Sequence, residues 1–473
     1  MDPPRPFLIG GEWRTSPRSA DVAFPYDGST VARVALADTQ ALEDAVRTAR
    51  DGAVEMASLP SRARSAVLAR MAALVEARAD ALAETIVLEA GKTITLARAE
   101  VERAAITLRV SAEEGRRIGG EVIDLDWTPA GEGCTGIHRR FPVGVVLAIT
   151  AFNFPLAIVC HKLGPALAAG NAAIVRPATK TPLSALALGA IALEAGCPPD
   201  AIAVVPCRVS DAERLVADPR VDFFSFTGST EVGWHLKGVA GRKRVALELG
   251  GNAAVIVEPD ADLERAALRC VQGGVANAGQ TCLSVQRVFL HASIYDDVLA
   301  RIVEGARSLS PGDPRDPSTV VGPMISDAAA SAAEATVGEA LEGGARCECG
   351  GTREGSLFAP TVMTGTTPEM RVNATEIFAP IITVTPYDSL EEALAHANDS
   401  EYGIQQSLFT RDLGVIGRAF EHCRTGSLIV NDLAFRTDHM PYGGTRASGT
   451  GREGPRYAID EMTEQRLLVV RMP

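Results

Sequence analysis

A chain of 473 residues, 46% hydrophobic and 22% charged, has an ordinary globular balance and length for two or three domains with sizeable cores. A formal net charge of −13 argues against a broad nucleic-acid or anionic-membrane surface, and no apolar run reaches the ~18 residues that would span a bilayer. Nine cysteines without a CxxC pair and seven histidines without an HExxH spacing point to neither a disulfide framework nor a metal centre. The opening MDPPRPFLIGGEW has no apolar signal core, so a cytoplasmic location is expected.

Residues 38–115 read as helices, because Ala, Leu, Arg and Glu dominate and apolar residues recur at helical spacing. SRARSAVLARMAALVEARADALAETIVLEAG predicts one helix stopped at Gly91, followed by a second over Ile94–Glu114. Glu121–Trp127 alternates like a strand. From 137 to 246 strands and helices alternate. Strands are predicted at Val143–Thr150, Ala172–Arg176, Ala201–Pro206 and Val221–Phe226, with helices at Pro155–Ala169, Pro182–Ala195 and Asp211–Ala217. This rhythm predicts a parallel sheet covered by helices, of the doubly wound class. A second α/β pattern follows, with strands at Asn252–Glu258, Arg287–His291, Ala379–Pro386 and Ser427–Asn431 and helices at Asp262–Gln272 and Ser293–Ser308. Ser310–Val320 reads as a surface loop, and Glu464–Arg471 as a final strand.

The chemistry centres on Gln272–Gln286, QGGVANAGQTCLSVQ, which sets Cys282 after Gly279, Gln280 and Thr281. A lone cysteine among apolar neighbours is by itself most simply a core residue. Its company changes that reading: FNFP at Phe152–Pro155, FTGS at Phe226–Ser229, LELGG at Leu247–Gly251 and EIFAP at Glu376–Pro380. These motifs, in this order, resemble the NAD(P)-dependent aldehyde dehydrogenase superfamily. The resemblance runs from GGEW at Gly10–Trp13 to PYGGTRASGTGREG at Pro441–Gly454. It implies an α/β fold with a Rossmann-type parallel-sheet cofactor domain (1–116 and 136–247) and an α/β catalytic domain (248–446). A small β oligomerisation element (117–135 and 457–473) is implied too, in a homodimer or homotetramer.

Oxidising an aldehyde by hydride loss requires an electron-rich oxygen on the reacting carbon. Addition of a thiolate creates one as a thiohemiacetal oxyanion. The resemblance implies Cys282 as nucleophile, Asn153 with the Cys282 N–H as oxyanion donors, and Glu248 as the base that activates water to cleave the thioester. Coenzyme-A-acylating members generally lack that glutamate, so a hydrolytic finish is expected rather than acyl transfer. Together the three residues argue against a non-catalytic use of the fold. There is no GxGxxG; instead FTGSTEVG is expected to face the pyrophosphate of NAD or NADP, with Gly228 permitting close approach and Ser229 opening a helix. Further cofactor contacts are implied at Thr150, Phe152, Ala178, Leu249, Glu376 and Phe378. At Arg176–Thr179 the family's usual lysine is replaced by arginine, and Thr179 stands where NAD-preferring members often carry glutamate. This pair suits a 2′-phosphate, or ribose hydroxyls alone.

Two arginines mark the substrate tunnel by the same resemblance: Arg103 on the helix after Gly91, and Arg436 in the loop before Pro441. Non-phosphorylating glyceraldehyde-3-phosphate dehydrogenases are similar in having both. Two departures are Thr281, where they tend to carry a third arginine, and Phe154, where they carry tyrosine. Two bare guanidinium groups in one tunnel would repel each other unless an anion lay between them. The expected substrate is therefore a short aldehyde with a distal phosphate, phosphonate or carboxylate. Alternatives are uncharged hydroxyaldehydes such as lactaldehyde or glycolaldehyde, and succinic semialdehyde. Each arginine could equally serve an ion pair, and His161 and His439 read as structural.

Overall fold

The structure, a computed structural model, describes residues 3–472. Among the described residues the strands form two large mixed sheets, one three-stranded sheet and two two-stranded sheets. The first large sheet runs in the order Glu12–Arg14, Phe7–Ile9, Ile202–Val204, Ala172–Arg176, Val145–Ile149, Phe223–Thr227, Arg244–Glu248, Gly449–Thr450. Its central five strands are parallel and the flanking pairs antiparallel. Val145–Ile149 and Ala172–Arg176 are buried along their whole length, as a sheet covered on both faces requires. Register aligns the carboxyl ends: Ile149 lies opposite Arg176 and Phe226, and Thr227 opposite Glu248. The segments 150–154, 176–179, 228–229 and 249–251 therefore leave the same edge of the sheet, where ligands bind in this class.

The second sheet runs Arg346–Cys349, Thr361–Thr364, Ile381–Tyr387, Val285–His291, Ala253–Val257, Gln405–Phe409, Ser427–Val430. All its pairs are parallel except the first. Only Leu249–Asn252 separates the end of one large sheet from the start of the other. Cys282 enters the second sheet next door, because Val285 pairs with Ala253. The site is thus built where the carboxyl edge of one sheet meets the amino edge of the next.

The third sheet has three antiparallel strands, Thr463–Arg471, Cys134–Pro142 and Gly120–Asp124. Its middle strand runs past 135, the expected edge of this element, into the segment expected to belong to the cofactor domain. No helix among the described residues is long and apolar enough to cross a membrane.

Two helical expectations need correction. The helix predicted to end at Gly91 is two, Ser61–Ala77 and Ala79–Ala90, because Arg78 leaves helical geometry at φ −113°, ψ 22° and its N–H reaches back to Val75 and Leu74. A helix over Asp327–Glu342, N-capped by Ser326, was not expected. The strand predicted over Glu121–Trp127 stops at Asp124, and Pro129–Gly131 turns the chain back toward Cys134–Pro142.

Candidate active site

The Leu263–Val275 helix, capped by the Asp262 carboxylate, ends just before the nucleophile loop. Asn277, Ala278 and Gly279 then take three successive left-handed conformations, at φ 53°, 54° and 71°. Such a run is uncommon for non-glycine residues and needs support from its surroundings. A Cβ on Gly279 would lie 2.1 Å from the Ala379 carbonyl, so only glycine lets this turn press against the Glu376–Pro380 loop. The Gln280 side chain ties the turn down, donating to the Asn277 carbonyl (3.1 Å) and accepting from Ile325 N–H (2.8 Å). Beyond it, a Cβ on Gly251 would meet the Cys282 carbonyl at 2.2 Å, so the backbones of LELGG and GQTC are in contact.

Cys282 Sγ lies 2.9 Å from the Tyr442 hydroxyl. Burial pushes the thiol up to about 12; the Tyr442 hydrogen bond and the Arg436 charge pull the other way, while Glu248 adds to the rise. Glu248, at the end of its strand, is buried, and its Oε2 has no hydrogen-bond partner. Burial, reinforced by the Glu453 carboxylate, holds it well above the usual carboxylate range, against Arg436 and Lys162. Asn153 is buried, and its amide donates to the Gln280 carbonyl at 3.0 Å. That uses one of its two N–H groups and leaves the second for an oxyanion.

Phe154 carries the Lys92 ammonium 3.6 Å above its ring. Lys92 is ion-paired with Glu100, both fully buried, and Glu100 also accepts from Leu156 N–H (2.9 Å) and Ala157 N–H (3.1 Å). A charged pair thus closes the amino end of the Ala157–Ala169 helix immediately after Asn153 and Phe154. Thr281 is partly exposed beside the nucleophile.

The residues expected to hold the cofactor fall on the shared edge, except Glu376 and Phe378, which come from the loop before Ile381–Tyr387 of the second sheet. Thr150 N–H donates to the Arg176 carbonyl (3.2 Å). The buried Arg176 donates to the Thr179 hydroxyl (3.0 Å) and the Cys207 carbonyl (2.9 Å), and its Nε has no partner. Ala178 is partly exposed between them. Gly228 N–H is held by the Glu248 carbonyl (3.1 Å), while Ser229 caps the Thr230–Ala240 helix without a side-chain hydrogen bond. The first N–H groups of that helix therefore lack a capping side chain, which fits an anion there. Leu249 N–H donates to the Ser448 carbonyl at 3.0 Å. Glu376 accepts from Gly251 N–H (2.8 Å), and burial pushes it up to about 7. Phe378, at φ 56°, meets Phe152 edge-to-face with centroids 5.8 Å apart. An orphaned arginine Nε, an open helix start and a paired aromatic gate fit a dinucleotide.

The two arginines are not bare. Arg103 pairs with Asp438 (2.9 Å), which also takes His161 (3.0 Å) on the same oxygen. Arg436 pairs with Glu453 (2.9 Å), whose other oxygen takes Lys162 (3.1 Å). The sequence reasoning that an anion must separate the two arginines is corrected: each already has its own carboxylate. Burial works to raise Asp438, but the His161 hydrogen bond and Arg103 outweigh it and bring it down to about 2. Lys162 and Arg436 do the same for Glu453, also down to about 2. Burial and the Arg436 charge lower His161 to about 4, so it is neutral at neutral pH. Arg103, Arg436 and Lys162 thus face the Asp438 and Glu453 carboxylates, with Glu248 a third acidic group beside Arg436 and Lys162, and the Nε atoms of both arginines are buried without a partner. His439 is exposed, outside this cluster.

Sequence reasoning missed Tyr442, Glu453, Asp438, Lys162 and the Lys92–Glu100 pair. One signal was available: a lysine inside AIVCHKLGPALAA, a helix buried at every position, demands a buried partner.

The sequence profile of the aldehyde dehydrogenase family matches residues 13–468. Over 466 residues the chain is 42% identical to a 3-sulfolactaldehyde dehydrogenase of Priestia megaterium, covering 98% of this chain and 97% of the relative. An aldehyde dehydrogenase of Physcomitrella patens, solved with its reaction product succinate, superposes with a TM-score of 0.96 at 38% identity over 99% of each chain. An NADP-dependent glyceraldehyde-3-phosphate dehydrogenase of Bacillus halodurans, complexed with NADP, gives 0.97 at 32% identity over 100% of each. Motifs, fold and full-length similarity agree, and the chain belongs to the aldehyde dehydrogenase family.

Proposed function

We propose that the protein oxidises a short aldehyde bearing a distal anion to the carboxylic acid. The Cys282 thiolate adds to the aldehyde carbon, and the second N–H of Asn153 and the Cys282 N–H hold the resulting oxyanion. NAD or NADP is the cofactor and, when bound, accepts the hydride. The thioester left on Cys282 is cleaved by water activated at Glu248, which frees the acid and the thiolate. Thr150, Phe152, Arg176, Ala178, Thr179, Gly228, Ser229, Leu249, Glu376 and Phe378 serve the cofactor, and Arg103, Phe154, Thr281 and Arg436 the substrate. The Arg176–Thr179 pair accommodates NADP beside NAD.

The observation that carries the substrate class is the pair of guanidinium Nε atoms, on Arg103 and Arg436, that are buried without a partner. An anionic tail could accept charge-assisted hydrogen bonds from these arginines, and an apolar one could not. The relatives named for sulfolactaldehyde, succinate and glyceraldehyde 3-phosphate support this reading, since all three ligands carry an anion distal to the reacting carbon. The test compares kcat/KM on succinic semialdehyde, a sulfonated aldehyde and glyceraldehyde 3-phosphate with that on propanal, using NAD and NADP in turn. At least one anionic substrate is expected to exceed propanal by about 10- to 150-fold, the worth of one charge-assisted hydrogen bond. Equal values would remove the anionic tail.

The Gly120–Asp124, Cys134–Pro142 and Thr463–Arg471 sheet pairs subunits into a homodimer or homotetramer in this reading. Free cysteines and a formal net charge of −13 fit a cytoplasmic enzyme.

A further inference from the structure

Tyr442 lies in the PYGG turn and is 3% exposed. Its backbone is clamped by reciprocal hydrogen bonds with Glu453, at 3.1 and 2.7 Å. Leu283 and Ile404 pack beside it. The Arg436 guanidinium lies 3.9 Å from its ring centroid, and Arg436 is itself held by Glu453. The ring is therefore fixed by backbone, apolar and cation–π contacts that a phenylalanine would make equally well. The hydroxyl has a single use among the described residues: it sits 2.9 Å from Cys282 Sγ.

We propose that Tyr442 is a further catalytic residue, whose hydroxyl donates a hydrogen bond to the Cys282 thiolate while Arg436 on its ring holds it in place. Burial and the neighbouring Cys282 and Glu248 charges keep the phenol protonated, so it stays a donor. It gives up no proton. A donor aimed at sulfur acts twice in one turnover. It stabilises the thiolate that attacks the aldehyde, and it stabilises the same thiolate when the hydrolysed thioester expels it. A positive charge on the ring face strengthens the donor. The residue expected to meet the substrate's anion is thereby the one stacked on the group that steadies the nucleophile.

The inference rests on Cys282 being the nucleophile, and the experiment separates the two. In Tyr442→Phe the shape remains and the donor is lost. The readout is the pH dependence of iodoacetamide alkylation at the Cys282 peptide, followed by mass spectrometry with and without NADP, beside the burst of reduced cofactor. The expected result is a midpoint about one pH unit higher, hence about tenfold less thiolate at neutral pH, and a burst slowed about tenfold with KM little changed. An unchanged midpoint and burst would overturn the proposal. Installing 3,5-difluorotyrosine at position 442 makes the phenol a stronger donor and is expected to lower the midpoint; no shift there overturns the proposal even if the phenylalanine variant fails to fold. Full turnover in Cys282→Ala would instead mean the nucleophile itself is misassigned.

Discussion

Asp438 and Glu453 change what Arg103 and Arg436 can do. Read from sequence, the arginines were a pair of charges waiting for an anion; in the fold each is committed to a buried carboxylate, and Glu453 also takes Lys162. Sequence could not supply this, because Arg103 and Asp438 lie 335 positions apart and Lys162 and Glu453 lie 291 apart. Cys282, Glu248 and Asn153 could be put forward from sequence, because each sits in a short motif whose chemistry needs that residue type. His161 gives the cluster a pH signature. Its folded value near 4 lies below the ordinary histidine value of 6.5, so the folded state binds fewer protons than the unfolded chain between those limits. His161 therefore contributes stability that is present above 6.5 and is lost as pH falls toward 4. Glu89 and Glu376, both raised to about 7 by burial, work in the opposite sense, so the difference between two proteins is the proper readout. Melting temperatures of wild type and His161→Gln, measured from pH 7.5 to 4.5, are expected to converge on acidification as the wild type loses this contribution. Parallel curves would show that His161 does not titrate in this window.

The elements with strong periodicity were predictable, and their ends fell within a few residues. Ala172–Arg176 and Ile94–Glu114 came out as expected, because a β-branched apolar run and a long amphipathic stretch each permit one solution. The Asp327–Glu342 helix was missed for a physical reason. Its buried positions are Ala330, Ala333, Thr336, Val337 and Ala340, side chains too small to make a strong apolar stripe. The break at Arg78 carries no proline or glycine and follows from packing across several helices, which local sequence does not encode. Least legible was the turn at Asn277–Gly279. Three consecutive left-handed residues are dictated by the Glu376–Pro380 loop and the Gln280 bonds around them, not by their own preferences.

At the scale of the whole molecule, the three-stranded sheet stands apart from both cores. Leu467, Leu468 and Val469 are successive and alternate between faces, yet they are 55%, 58% and 51% exposed, so neither face is covered within one chain. Open apolar sheet of this kind invites a partner. If this sheet pairs subunits as proposed, Leu468→Asp shifts the protein toward monomer in sedimentation velocity while leaving the melting of the cores nearly unchanged; an unaltered sedimentation coefficient would contradict this sheet as a subunit interface. The two large sheets, by contrast, are joined so tightly through Leu249–Asn252 that Glu248 and the Cys282 backbone share one short crossing. In the proposed two-step covalent reaction that join keeps Glu248 beside the acyl group on Cys282, and stopped-flow kinetics of Glu248→Gln test it most directly. The variant is expected to release about one equivalent of reduced cofactor per active site and then stall, with the acyl group found on Cys282 by mass spectrometry. Sustained turnover at the wild-type rate, with no acyl-enzyme, would contradict the account.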